Sequence, residues 1–211
     1  MSKPVCYTLK ESNLLAARQK FREQESRDLF YRAATELVRL ALDGQTSISV
    51  AEALGTLLQT WNKSFYRFHG KFNEAHFQAL ESVVEERSEK WQQWRGRSIE
   101  TLRDDEKNDV SETFAALETV IGPVGAAKAM HLLSPEFFPL WDRTIASKYG
   151  VSLKRRGENA PPYLRFMEIT KQQVSGLGNT ELRSQGILKL IDEYNYSVFT
   201  KGWLVLPSAA K

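Results

Sequence analysis

The stretch from Val120 to Val151, VIGPVGAAKAMHLLSPEFFPLWDRTIASKYGV, constrains this chain more than any other part of it. Gly122 stops one helix, and Pro123-Val124-Gly125 makes a tight turn into the next. Small residues in Gly125-Ala126-Ala127-Lys128-Ala129 let two helices pack closely and leave the first-turn amides accessible, where backbone N–H groups and the helix dipole favour an anion. The loop SPEFFPLW follows, and Asp142 then opens another helix. Such a unit needs helical packing around it to hold its shape.

The flanking sequence has that character. Residues 12–42 read as one helix, with Phe30, Ala33, Ala34, Leu37, Val38 and Ala41 on one stripe and Gly44 suited to the left-handed stop. Ser49 and Glu52 have the spacing of a capping box. The helix behind them carries Leu54, Leu57, Leu58, Trp61, Phe65 and Phe68, and ends in the aromatic run WNKSFYRFHG. Those rings fit a core stripe better than a base-stacking platform. Residues 73–94 read as a third helix, with Phe77, Leu80, Val84, Trp91 and Trp94 on its buried side. A charged connector covers 96–108. The next helix begins at Asp109 or Ser111 and carries Phe114, Leu117, Val120 and Ile121.

Beyond the central stretch, LKRRGENAPP is a basic loop whose two prolines suit the first turn of a helix. That helix carries Tyr163, Phe166, Met167 and Val174 and ends near Gly176. A last helix covers about 180–194, and the tail FTKGWLVLP reads as a short strand or a docked segment. No strand series and no internal repeat is present. The expectation is a single all-α domain over 1–211, with one helical lobe at 12–108 and a second at 109–200.

Composition sets the remaining bounds. The 211 residues are 42% hydrophobic and 26% charged, ordinary for a globular protein. No run approaches eighteen apolar residues and the N-terminus lacks a signal-peptide core, so no membrane partner is expected. A lone Cys6 excludes an internal disulfide and points to a reducing cytoplasm. With three histidines it makes no metal motif. Residues 1–121 carry a net charge of −2 and residues 122–211 a net +5, which permits a phosphate-rich partner in the second half.

The Pro123–Gly125 hairpin, with Ala129 four residues on, resembles the helix-hairpin-helix motif, which grips the DNA backbone without reading sequence. The order of hairpin, loop and helix-opening Asp142 resembles the helix-hairpin-helix DNA glycosylase superfamily, with the fold of 8-oxoguanine glycosylase and endonuclease III. The resemblance implies a two-lobed helical fold with the active site between the lobes, a duplex DNA partner, a role in DNA repair and no cofactor. Three positions depart from the family. Pro123 stands where the motif's first glycine belongs, the loop to Asp142 is a few residues shorter, and the Schiff-base lysine position is Ala127, with Lys128 one place later. One residue is a rotation of about 100°, which turns Lys128 away from the cleft.

The candidate catalytic residues are Asp142 and Lys128. Asp142 would stabilise the positive sugar as an extruded base departs, the logic of oxocarbenium-like glycosidic cleavage. It also fits a simple N-cap, and the two roles are compatible. Candidate nucleic-acid contacts are Pro123, Val124, Gly125, Ala126, Ala127, Lys128, Lys148, Lys154, Arg155 and Arg156. Trp141, Phe138 and His131 are the base-pocket candidates. The bland readings are hydrophobic plugs for the rings, including Phe137, a satisfied core histidine, and a solubilising basic loop. The leading expectation is a DNA-binding protein with a glycosylase-like fold, and the resemblance extends it to a base-excising hydrolase. The alternatives are a catalytically inactive helix-hairpin-helix module that binds DNA or protein, and a helical adaptor that touches no nucleic acid.

Overall fold

A computed structural model of the chain describes residues 9–68, 72–178, 182–183 and 186–205. Most of the extended, loosely attached segment expected at 1–10, the last residues of the tail, His69 and the start of the last expected helix lie outside the described residues. Among those described the fold is all-α, with no strand. Among the described residues the main helices run in order: α1 (Glu11–Gln24), α2 (Asp28–Leu42), α3 (Val50–Trp61), α4 (Lys63–Phe68), α5 (Glu74–Glu85), α6 (Ser88–Trp94), α7 (Lys107–Leu133), α8 (Arg143–Lys148), α9 (Ala160–Ser175) and α10 (Ile187–Asn195). Two 3₁₀ turns, Ile99–Thr101 and Asp104–Glu106, fill the charged connector, and a π turn, Tyr196–Thr200, extends α10.

The start and stop signals act where local chemistry demands. Ser49 Oγ accepts from the Glu52 amide at 3.2 Å, and the Glu52 carboxylate accepts from the Ser49 amide at 2.7 Å, closing the capping box. Gly44 takes φ +65° after α2. Pro161 and Pro162 sit in the first turn of α9.

Two expected helices are each broken in two. The 12–42 stretch breaks at Glu25–Arg27, where the Glu25 carboxylate accepts from the Arg27 amide at 3.1 Å and from its guanidinium at 2.8 and 2.6 Å. That side chain offers the backbone an alternative to the helical ladder, with no glycine or proline to announce it. The 73–94 stretch breaks at Glu86–Arg87, where Trp91 Nε1 donates to the Val84 carbonyl at 3.0 Å and satisfies an end-of-helix acceptor. The helix expected from Asp109 or Ser111 begins earlier, at Lys107. The described part of the tail, to residue 205, forms no strand. Its Trp203 and Leu204 amides donate to the Ser197 carbonyl instead.

α7 is the central element, touching α2, α3, α4, α5 and α9. Its second half buries Ala126, Ala127, Ala129, Met130 and Leu133. The SPEFFPLW loop plugs against α6: Phe137 stacks on Trp94 with ring centroids 6.2 Å apart, and Phe138 meets Trp91 and Trp94 edge-on at 6.4 and 5.2 Å. All four rings are buried, each contributing about 3 kcal/mol by area.

Candidate functional site

The site begins with the hairpin inside α7. Gly122 breaks the helix at φ 72°, ψ 169°, a conformation essentially reserved for glycine. The Ile121 carbonyl ends the first half of the helix and accepts from Asn62 Nδ2 at 2.9 Å. A Cβ on Gly122 would stand 3.0 Å from the Phe65 ring, and one on Gly125 only 2.6 Å from Asn62 Nδ2. On the other side Trp141 Nε1 donates to the Pro123 carbonyl at 3.1 Å. The α3–α4 junction and Trp141 therefore clamp the hairpin from two directions. This closeness corrects one expectation. Gly125, Ala126 and Ala127 are buried, with Asn62 packed against Gly125, and the hairpin residues that line the adjoining cavity are Ile121, Gly122, Pro123 and Val124.

That cavity has a volume of about 760 Å³. The hairpin, the α1–α2 break, the α3–α4 junction, the basic loop and the end of α10 enclose it. Asp142 lines it while capping α8: Oδ1 accepts from the Ile145 amide at 2.7 Å and Oδ2 from Thr200 Oγ1 at 3.0 Å. Each oxygen keeps one further lone pair for a ligand.

Lys128 also lines the cavity, contrary to the rotation argument. The position one residue earlier, Ala127, is buried. The four-carbon stem of Lys128 reaches across the helix surface, so that Nζ donates to the Trp61 carbonyl and lies 5.9 Å from the Trp61 ring centroid. Burial pushes this ammonium down to about 8, against the opposing pull of Asp192 and Asp142.

Of the base-pocket candidates, only Trp141 lines the cavity. Phe138 belongs to the aromatic plug. His131 is fully buried, with Nδ1 2.8 Å from the Phe138 carbonyl and Nε2 2.9 Å from the Tyr31 hydroxyl. Burial pushes it down to about 4, so it is a neutral core histidine and not a ligand contact.

The basic loop is a fixed platform. Buried Glu118 accepts from the Gly157 amide at 2.9 Å, the Asn159 amide at 3.2 Å and Asn159 Nδ2 at 2.6 Å. Lys154 and Arg156 face the cavity, and Arg156 lies 5.7 Å from the Phe65 ring and donates to the Thr119 carbonyl. Lys148 and Arg155 are exposed and lie outside the cavity lining.

Several lining residues were not foreseen. Trp61, Phe65 and Phe68, expected in the core, form one side of the cavity, and Phe68 is 67% exposed. The aromatic run in the sequence was the available signal. Glu25 and Arg27 enter through the helix break, and Asp192 and Tyr196 from α10 and its π turn. The Tyr196 hydroxyl donates to Glu25 at 2.9 Å and accepts from Arg27 at 2.8 Å. The Arg27 guanidinium holds Glu25 down at about 2. Burial pushes Asp192 up to about 6.

No family model, curated protein or solved structure matches this chain. Among the described residues no helix is long and apolar enough to cross a membrane, and no group of three or more His, Cys, Asp and Glu could hold a metal ion.

Proposed function

We propose that the chain is a DNA-binding protein with a glycosylase-like site that excises a base from an extruded nucleotide. One observation carries the reading: Asp142 and Lys128 open into the same cavity that Pro123, Val124, Lys154 and Arg156 border. The volume, about 760 Å³, lies in the range of sites that enclose a small ligand. Lys154 and Arg156 supply charge for phosphates at the mouth, and Trp61 and Trp141 border the interior. Asp142 stabilises the positive charge that grows on the sugar as the base leaves. Lys128, held near 8, offers a substantial neutral-amine fraction at mildly alkaline pH, suited to accept a proton from attacking water or to attack the sugar carbon itself.

The test is incubation with duplexes carrying uracil, 8-oxoguanine or alkylated bases. Wild type releases at least one of these bases, and Asp142→Asn slows release a hundredfold or more. Lys154→Glu with Arg156→Glu weakens duplex affinity and flattens its salt dependence. A second reading, a catalytically inactive DNA-binding module, is favoured by the two hydrogen bonds that Asp142 already accepts. It gains if every lesion stays intact with wild type while the double charge reversal still weakens binding. Loss of both effects leaves only a helical adaptor.

A further inference from the structure

The wall facing the hairpin is built by α10 and the π turn. Asp192 and Tyr196, four residues apart, both line the cavity, and Thr200 at the end of the turn holds Asp142. Asp192 is only 9% exposed, and among the described residues its carboxyl makes no hydrogen bond. Its one ion-pair partner, Lys189, stands 3.7 Å away and is shared with Asp28 at 3.4 Å and Glu193 at 3.5 Å. The rings of Phe21, Tyr31 and Trp61 also enclose that ammonium, at 4.1, 4.7 and 5.4 Å from their centroids. Glu193 is itself held by Arg18 at 3.0 Å. Among the described residues Lys189 Nζ makes no hydrogen bond and divides its charge among three carboxylates, so the Asp192 carboxyl, on the cavity lining, keeps its hydrogen-bonding capacity for whatever enters.

We infer that Asp192 reads the hydrogen-bonding edge of the base held in this cavity, an assignment that rests on the proposed function. The charged groups around it are Lys128 from α7, Asp142 ahead of α8, and Lys189 and Glu193 on its own helix. Burial first, then Asp142 and Glu193, hold the carboxyl near 6, so it changes form within the working pH range. Ionised, it only accepts, and matches an edge with two adjacent N–H donors, as on guanine. Protonated, it donates and accepts, and matches a ring-nitrogen acceptor beside an amino donor, as on adenine or cytosine. Trp61 and Tyr196 border the same cavity.

The experiment measures binding of the full chain to duplexes carrying one non-cleavable 2′-fluoro nucleotide, with a guanine-type or an adenine-type base, at pH 5 and pH 7.5. A duplex with a tetrahydrofuran abasic analogue is the baseless control. For wild type, the adenine-to-guanine affinity ratio falls tenfold or more between pH 5 and pH 7.5. Asp192→Asn, which donates and accepts at both pH values, holds the ratio at its acidic value and leaves abasic-duplex affinity unchanged. A wild-type ratio that does not move with pH overturns the assignment. So does an Asp192→Asn ratio that still tracks pH, or an equal loss on abasic and base-bearing duplexes. Wild type that excises nothing yet keeps the pH-dependent ratio loses the enzymatic reading and retains this one. Wild type that binds no duplex overturns both.

Discussion

One wall of the cavity comes from neighbouring residues, Gly122 to Asp142. A second is assembled from Glu25, Arg27, Asp192 and Tyr196, far apart in the chain, with Thr200 behind it holding Asp142. The first is held by shape: a glycine conformation, a glycine with no room for a methyl group, and two side-chain caps on backbone carbonyls. The second is held by charge: Glu25 against Arg27 and Tyr196, and Lys189 among three carboxylates. A wall made by shape tolerates almost no substitution. A wall made by charge accepts isosteric changes and answers to protons.

The sharpest way to break the shape-held wall is Gly125→Ala. Its new methyl would meet Asn62 Nδ2 at 2.6 Å and displace the cap on Ile121. Denaturant unfolding should show a loss of about 2–3 kcal/mol.

A pH series sharpens the contrast. The folded value of His131 is lowered from 6.5 to about 4, so His131 makes stability rise with pH across that window. That of Asp192 is raised from 3.8 to about 6, so it makes stability fall with pH across nearly the same window. The two contributions oppose each other in wild type. Asp192→Asn removes one of them, and unfolding free energy should then climb by about 2 kcal/mol more steeply between pH 4 and pH 6 than in wild type. Below that range a third group acts. Glu25 is depressed from 4.5 to about 2, so its contribution, full above pH 4.5, is lost as pH falls toward 2.

The smallest expected effect is that of Tyr196→Phe. It removes one hydroxyl from between Glu25 and Arg27 and should cost about 1 kcal/mol, read as a lowered midpoint in the same unfolding assay.

This contrast also explains what the sequence disclosed. The capping box at Ser49–Glu52, the stops at Gly44 and Gly122, the cap at Asp142 and the prolines opening α9 each rest on chemistry within a few residues, and periodicity with local signals located them. The breaks at Glu25–Arg27 and Glu86–Arg87 come from side chains bonding backbone where the apolar spacing runs on undisturbed. Asp142 and Trp141 could be named because they follow the hairpin in order. His131 and Phe138 lie in the same stretch, yet a tyrosine from α2 and two tryptophans from α6 claim them for the core. Lys128 was assigned a direction from helical phase, but four methylenes can cross that angle. Asp192 and Tyr196 carry no local mark, since their place depends on how the last helix docks against α1.

The π turn has a further consequence. The Lys201 amide donates to the Tyr196 carbonyl, five residues back, at 2.9 Å, so this turn holds one residue more than an α-helical frame would. Shortening it by one residue would let the ordinary frame close. The following backbone would then rotate by about 100° and withdraw the Thr200 hydroxyl from Asp142. Chain length at this one point, more than residue type, tunes how the central acid is restrained.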